Sequence, residues 1–166
     1  MSVESNMAIV RGLIAEVWNG HDLDAVARYF GPAMVEESVE HTRQFLAAFP
    51  DLQVIIEDLF GAGDRLVGRL TLRGTQLGAF AGRAATGRGM EITSLRIYRF
   101  EDGRIAENWA MQDRLGLMQQ LGFLPEVGSV AGAAQGASAH GRAPTGRDRE
   151  RPASRPACQY YCRGAR

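Results

Sequence analysis

The sequence predicts an α+β fold in which a curved, mostly antiparallel sheet wraps around N-terminal helices as a conical barrel. Three observations carry this expectation. Apolar residues recur at helical spacing through residue 48. From residue 52 they alternate as in strands. The last two strands meet at the turn pair Asp102-Gly103 and run into a short closing helix. Helices first and strands afterwards, rather than in alternation, mark α+β and not a parallel α/β sheet.

The elements follow in order. Residues 4–19 place Met7, Val10, Leu13, Ile14, Val17 and Trp18 on one helical face, and Asn19-Gly20 ends that helix. Asp22 caps a second, short helix through Phe30, with Leu23, Val26, Ala27 and Phe30 inward. Gly31-Pro32 breaks the chain. Residues 36–48 suit a third helix with Val39, Phe45, Leu46 and Ala48 as its apolar positions, and Phe49-Pro50-Asp51 stops it. Strands over 52–60 and 65–76 flank the turn Gly61-Ala62-Gly63-Asp64, with Leu66, Leu70 and Leu72 on the buried side. The small, Gly-rich segment 77–89 reads as a loop. Strands over 90–100 and 104–112 form the last hairpin, helix 114–121 closes the domain, and Gly122 suits its C-terminal cap. Topology, rather than spacing, implies a conical cavity with one open end.

Composition narrows the class. The formal net charge is zero, which gives no general attraction to nucleic acid or to a membrane. That zero hides a split: residues 1–125 hold 12 Arg against 16 acidic residues, and residues 126–166 hold 7 Arg against 3. Apolar periodicity is lost after residue 125, and Ala, Gly, Ser, Pro and Arg dominate. The expectation is a cone domain over 1–125 and a disordered tail over 126–166, because such a tail buries too little surface to offset its ordering entropy. No apolar run approaches the roughly 20 residues of a membrane span. The N-terminus lacks the basic start and unbroken apolar stretch of a signal peptide, so a cytoplasmic location is expected. Cys158 and Cys162 both lie in the tail and lack a second pair of ligands. The three histidines are scattered, which offers no metal constellation. Gly78, Gly82, Gly87 and Gly89 make no phosphate loop, since no Lys follows and no helix begins there.

The last hairpin holds the candidate chemistry. Strict alternation puts Ile105, Glu107, Trp109, Met111 and Asp113 on one face of the final strand. A carboxyl group beside Trp109 and Met111 has its charged form disfavoured, which makes Asp113 a candidate proton carrier near neutral pH. The competing reading is that Asp113 caps helix 114–121. Arg96 and Tyr98 share a strand face with Ser94 and Phe100, and are candidates to bind a substrate carbonyl or carboxylate if that face lines the cavity. Trp109, Met111, Trp18 and Phe80 are candidate walls against a flat substrate. On this alternation Asn108 points away from the cavity, Glu107 pairs with an Arg of a neighbouring strand, and His41 faces either way.

The order of motifs resembles the SnoaL-like polyketide cyclase family, of the nuclear transport factor 2-like superfamily, over roughly residues 7–124. The residues that carry the likeness are Phe49-Pro50-Asp51, Gly63-Asp64, Gly74-Thr75 with Gly78, Phe80 and Gly82, and Thr86-Gly87. Tyr98-Arg99-Phe100 running into Asp102-Gly103 follows, then Glu107, Trp109 and Asp113 before the Leu-Gly-Leu and Gln-Gln-Leu-Gly segments. The resemblance implies a conical α+β barrel and a homodimer or homotetramer formed through the sheet. It also implies cofactor-free ring closure of a polyketide-like carbonyl substrate by intramolecular aldol reaction, with an aspartate at the position of Asp113 as general acid/base. A non-catalytic small-molecule-binding or accessory protein of the same fold is the alternative. An epoxide hydrolase, as in other branches of the superfamily, wants a second cavity carboxylate with an Arg between, and no such set is evident. Two departures stand out. Relatives commonly carry a further strand after the second helix, whereas Phe30-Gly31-Pro32 runs almost directly into helix three. Many also read Glu-His-Trp where this chain has Glu107-Asn108-Trp109.

Overall fold

The computed structural model describes residues 2–125. The tail expected over 126–166, with Cys158 and Cys162, lies outside the described residues. Helix α1 (Val3–Gly12) is capped by Ser2, whose hydroxyl accepts from the Ser5 N–H at 3.1 Å. It widens into a π-helical turn over Leu13–Trp18, where Leu13, Ile14, Val17 and Trp18 are all buried. Asn19 ends this turn and also ties it to the sheet. Its side-chain amide donates to the Val54 carbonyl and accepts from the Val54 N–H, at 3.0 and 2.7 Å. Asp22, expected to cap the second helix, instead closes the turn before it by accepting from the Ala25 N–H at 3.1 Å, and α2 (Val26–Tyr29) has Ala25 at its N-cap, without a side-chain cap.

Helix α3 spans Pro32–Ala48 and starts four residues before the expected position. The Gly31-Pro32 pair is its start and not merely a break. Proline at the first helical position loses no hydrogen bond, because that N–H has no intrahelical partner in any case. Strands β1 (Gln53–Ala62), β2 (Arg65–Thr75), β3 (Gly89–Glu101) and β4 (Arg104–Gln112) follow, then α4 (Arg114–Gln120). They form one antiparallel sheet in the order β1-β2-β3-β4, curved but unclosed. No helix among the described residues is long and apolar enough to cross a membrane.

The hairpin turn between β3 and β4 has Asp102 at φ 48° and Gly103 at φ 77°. Two consecutive positive φ values match the right-handed twist of the flanking strands, which explains the Asp-Gly pair. Two bulges bend the sheet, at Glu57 in β1 and at Ala106 in β4. The concave side packs Val54, Leu66, Leu70, Leu72, Met90, Ile92, Tyr98, Phe100 and Ile105 against Val10, Val17, Phe45 and Phe49 of the helices. The family-like motifs outside the hairpin hold this frame. Asp51 clamps the end of β2 by accepting from the Thr75 N–H and Oγ1, both at 2.7 Å. Buried Gln76 organises the loop before β3 by bonding to Gly78, Ala84 and Thr86. Gly78 passes so close to α3 that a Cβ there would collide with the Ala47 carbonyl.

The bulge at Ala106 overturns the strict alternation expected of β4. Phe100 pairs with Ile105 and Arg99 with Glu107, so one residue is skipped. Ile105 stays buried, but beyond the bulge the phase reverses. Trp109 and Met111 stand on the convex face, 46% and 74% exposed. Asn108, Ala110 and Gln112, opposite Tyr98, Arg96 and Ser94, share the concave face with them. The skipped residue lets Glu107 meet Arg99 across the strands at 2.6 Å.

Candidate functional site on the concave face

Arg96 lies at the centre of the concave face. Alternation along β3 puts Ser94, Arg96 and Tyr98 in one inward row, and cross-strand pairing adds Asn108 beside Tyr98. Ser94 and Tyr98 are fully buried and Arg96 is 6% exposed. The Ser94 hydroxyl, Arg96 Nε, Tyr98 hydroxyl and Asn108 Oδ1 have no hydrogen-bond partner. Among the described residues no carboxylate lies within salt-bridge distance of the Arg96 guanidinium. Four unsatisfied polar groups side by side are costly in a finished core, which makes this cluster a candidate binding site.

The helices supply the opposite wall. The Arg96 guanidinium sits over the Trp18 ring, 5.5 Å from its centroid. His41 of α3 meets Trp18 edge-on at 6.2 Å and Phe45 at 6.3 Å. Phe80 closes the aromatic cluster against Phe45 and Phe49, at 5.8 and 5.3 Å. His41 keeps an exposed edge, yet its packing takes water from the ring. This desolvation, then the positive charges of Arg96 and Arg114, hold its pKa below the ordinary 6.5, against a smaller upward pull from Glu37. Burial raises the Tyr98 pKa, partly offset by Arg96, so its hydroxyl remains a donor.

Between α2 (Val26–Tyr29) and α3 (Pro32–Ala48) the chain forms no strand beside β4. Phe30 makes a single parallel bridge to Ile105, with the Gly31 N–H donating to the Ile105 carbonyl at 2.9 Å. Beyond that point β4 is an edge of the sheet, and the inward-facing Ala110 is exposed. A separate shallow cleft of about 390 Å³ lies on the β1–β2 side, lined by Asp51, Gln53, Ile55, Arg73, Gly74 and Thr75. Its one clustered carboxylate is occupied by the Thr75 clamp, so the concave row is the better candidate site.

The predicted site residues thus separate. Arg96, Tyr98 and Trp18 come together, and Phe80 borders them through Phe45. Trp109 and Met111 do not join them, because the bulge turns both outward. Asp113, at the end of β4, is exposed, and its Oδ1 accepts from the Gly116 N–H at 2.8 Å as the cap of α4. The apolar wall expected around its carboxylate is therefore missing. Asn108, expected outside, faces in. His41 joins the site through α3, where Glu37 and Phe45 at four-residue spacing share its face.

Arg96 gives the first testable consequence. Arg96→Met keeps a long side chain against Trp18 and removes an uncompensated buried charge, so the folded state should gain about 1–3 kcal/mol in chemical denaturation. The same change should raise the His41 pKa, as one of its depressing charges goes. His41 titrates lower in the folded chain, so its contribution is fully present above about pH 6.5 and is lost as pH falls through the folded value. That acid loss should shrink in Arg96→Met without vanishing, since desolvation remains. A less stable variant would mean that Arg96 is a structural group.

Comparisons with known proteins agree with this frame. The family model for SnoaL-like polyketide cyclase matches residues 8–121. Among solved structures, TsrD from Streptomyces laurentii is 28% identical, with TM-score 0.71, over 75% of this chain and 99% of that one. AclR from Streptomyces galilaeus, provisionally assigned as a hydroxylase, is 28% identical, with TM-score 0.71, over 78% of this chain and 88% of its own. IdmH from Streptomyces antibioticus, provisionally assigned as a polyketide cyclase, is 27% identical, with TM-score 0.63, over 70% and 97%. Among curated protein sequences none matches. With the matched region spanning both the helices and the whole sheet, the chain belongs to the SnoaL-like polyketide cyclase family.

Proposed function

We propose that the protein is a cofactor-independent enzyme that closes a ring in a small polyketide-like carbonyl compound by intramolecular aldol addition, and that it works as a homodimer or homotetramer paired through the convex face of its sheet. The observation that supports this most is the buried, unsatisfied row of Arg96, Tyr98 and Asn108 on the concave face of a cyclase-family fold. A carbon between two carbonyls is acidic, so one carboxylate suffices as base. Asp113 takes that proton. The enolate carbon forms a bond to a second carbonyl carbon of the same molecule, whose π pair moves to oxygen. The resulting alkoxide recovers the proton from Asp113. Tyr98 donates toward the oxygen on which charge develops, beside the positive charge of Arg96 and in a setting where little water competes. Holding both ends of one molecule together supplies the remaining rate through orientation.

One observation favours the second reading, a non-catalytic binding protein: the Asp113 carboxylate is engaged as a helix cap. Proton exchange separates the two. In D₂O, an aromatic β-keto ester should exchange the hydrogens between its carbonyls faster with the protein than with buffer at matched pH, followed by proton NMR. Binding without any protein-dependent exchange would support the accessory role and sink the enzyme reading.

A further inference from the structure

We propose that the concave site takes a compound bearing a free carboxylate, with Arg96 as its counter-ion and Ser94, Tyr98 and Asn108 completing its hydrogen bonds. The inference rests on the concave face being the substrate site, and goes further by fixing the charge of what enters it.

The charge balance of the site carries the argument. A neutral carbonyl would satisfy hydrogen bonds but leave the buried guanidinium uncompensated. A carboxylate does both, and its two oxygens match the planar fork of arginine. None of the described residues supplies that negative charge, since no carboxylate among them lies within salt-bridge distance of Arg96. Around neighbouring His41 the other charges are Arg114 from α4 and Glu37 from α3, opposite in sign, so they bring no net negative charge to this wall of the site. The Trp18 ring covers one side of the guanidinium, its centroid 5.5 Å from Cζ.

The partners are donors or become donors at no cost. Tyr98 is a protonated phenol in a dry setting, and the Ser94 hydroxyl rotates to suit. The unpartnered atom of Asn108 is its Oδ1, and a half-turn of the amide presents Nδ2–H there instead. Ser94, Arg96 and Tyr98 are spaced roughly 7 Å apart along the strand. The carboxylate therefore sits on Arg96, and the flanking hydroxyls meet it or the oxygens next to it. Ala110, small and exposed opposite Arg96 on the β4 edge, leaves room for the body of the compound.

The test compares 2-naphthoate with methyl 2-naphthoate, a flat acid and its neutral ester. By calorimetry, the acid should bind at least about tenfold more tightly to the wild-type protein, and Arg96→Gln should erase that preference. An independent readout on the wild-type protein covers the case in which Arg96→Gln misfolds. Saturating acid should raise the NMR-detected pKa of His41, because a negative charge beside Arg96 offsets the local cations, while the ester should leave it in place. Equal or tighter binding of the ester, with His41 unmoved, overturns the inference and leaves the carbonyl-binding reading standing. An acid preference that survives in folded Arg96→Gln overturns it as well, by placing the anion elsewhere. Binding of neither compound removes both this inference and the concave face as the substrate site.

Discussion

Asp113→Asn should lower ring-closing turnover about 10²- to 10⁴-fold, the usual worth of a positioned acid–base group, while leaving the melting temperature close to wild type. The two halves of this expectation separate the roles of one side chain. Asp113 ends β4 and caps α4, its Oδ1 accepting from the Gly116 N–H at 2.8 Å. Asparagine is as good a cap as aspartate, so the helix start survives the exchange, but an amide carries no proton between carbon and oxygen. Asp113→Ala would instead lose the cap as well, at about 1 kcal/mol. Gly116→Ala approaches the same question from the other side. A Cβ at Gly116 would collide with the Asp113 carboxylate, so the carboxylate must rotate out of the cap while remaining in place chemically. Turnover in Gly116→Ala that stays well above that of Asp113→Asn would show that the carboxylate acts through its chemistry and not through its cap. Full activity in Asp113→Asn would sink the proposed base.

The outline of the fold was legible because its signals are local. Asp102-Gly103 announces a two-residue hairpin, and Gly122 takes the positive φ of a helix stop. The direct run from Phe30 into the third helix was legible too, and a single backbone bridge joins Phe30 to Ile105. What could not be read were the places where the regular period breaks. Ala106 is small and tolerates either face, so nothing in Ile105-Ala106-Glu107 shows that one residue is skipped. What the shifted register brings together, Glu107 with Arg99 at 2.6 Å, lies across two strands and not in the local sequence. That single slip moved Trp109 and Met111 to the wrong side and concealed Asn108. The π-helical turn over Leu13–Trp18 was hidden for the same reason, since its apolar residues also fit an ordinary helix. His41 was beyond reach because its partners, Trp18 and Phe45, come from a packing of helices that no spacing rule specifies. Gly31-Pro32 is different: a proline at the first helical position is a readable signal, and it explains the early start of α3.

The same slip creates the second large effect. With the phase reversed, Trp109 completes a cross-strand row on the convex face, Phe60–Val67–Ile97–Trp109, one residue from each strand. Leu95 and Met111 form the start of a second row beside it. Phe60, Ile97, Leu95 and Trp109 are between 42% and 55% exposed, and Met111 more so. A contiguous apolar face of this kind is unusual on a monomer and suits a self-complementary pairing of two sheets. Trp109→Glu removes the large ring at one end of the row, with its contact to the Arg65 guanidinium 5.7 Å from the ring centroid, and puts there a charge that pairing of two sheets would desolvate. The wild-type protein should sediment as a dimer or tetramer at micromolar concentration, and Trp109→Glu should weaken the association by about 30-fold or more, corresponding to a hot-spot loss of about 2 kcal/mol. Because Trp109 points away from the core, the far-ultraviolet dichroism of the variant should match wild type. A wild-type chain that stays monomeric at high concentration would remove the oligomer from the proposal. The concave site would be unaffected by that result, since every residue in its row faces the other side of the sheet.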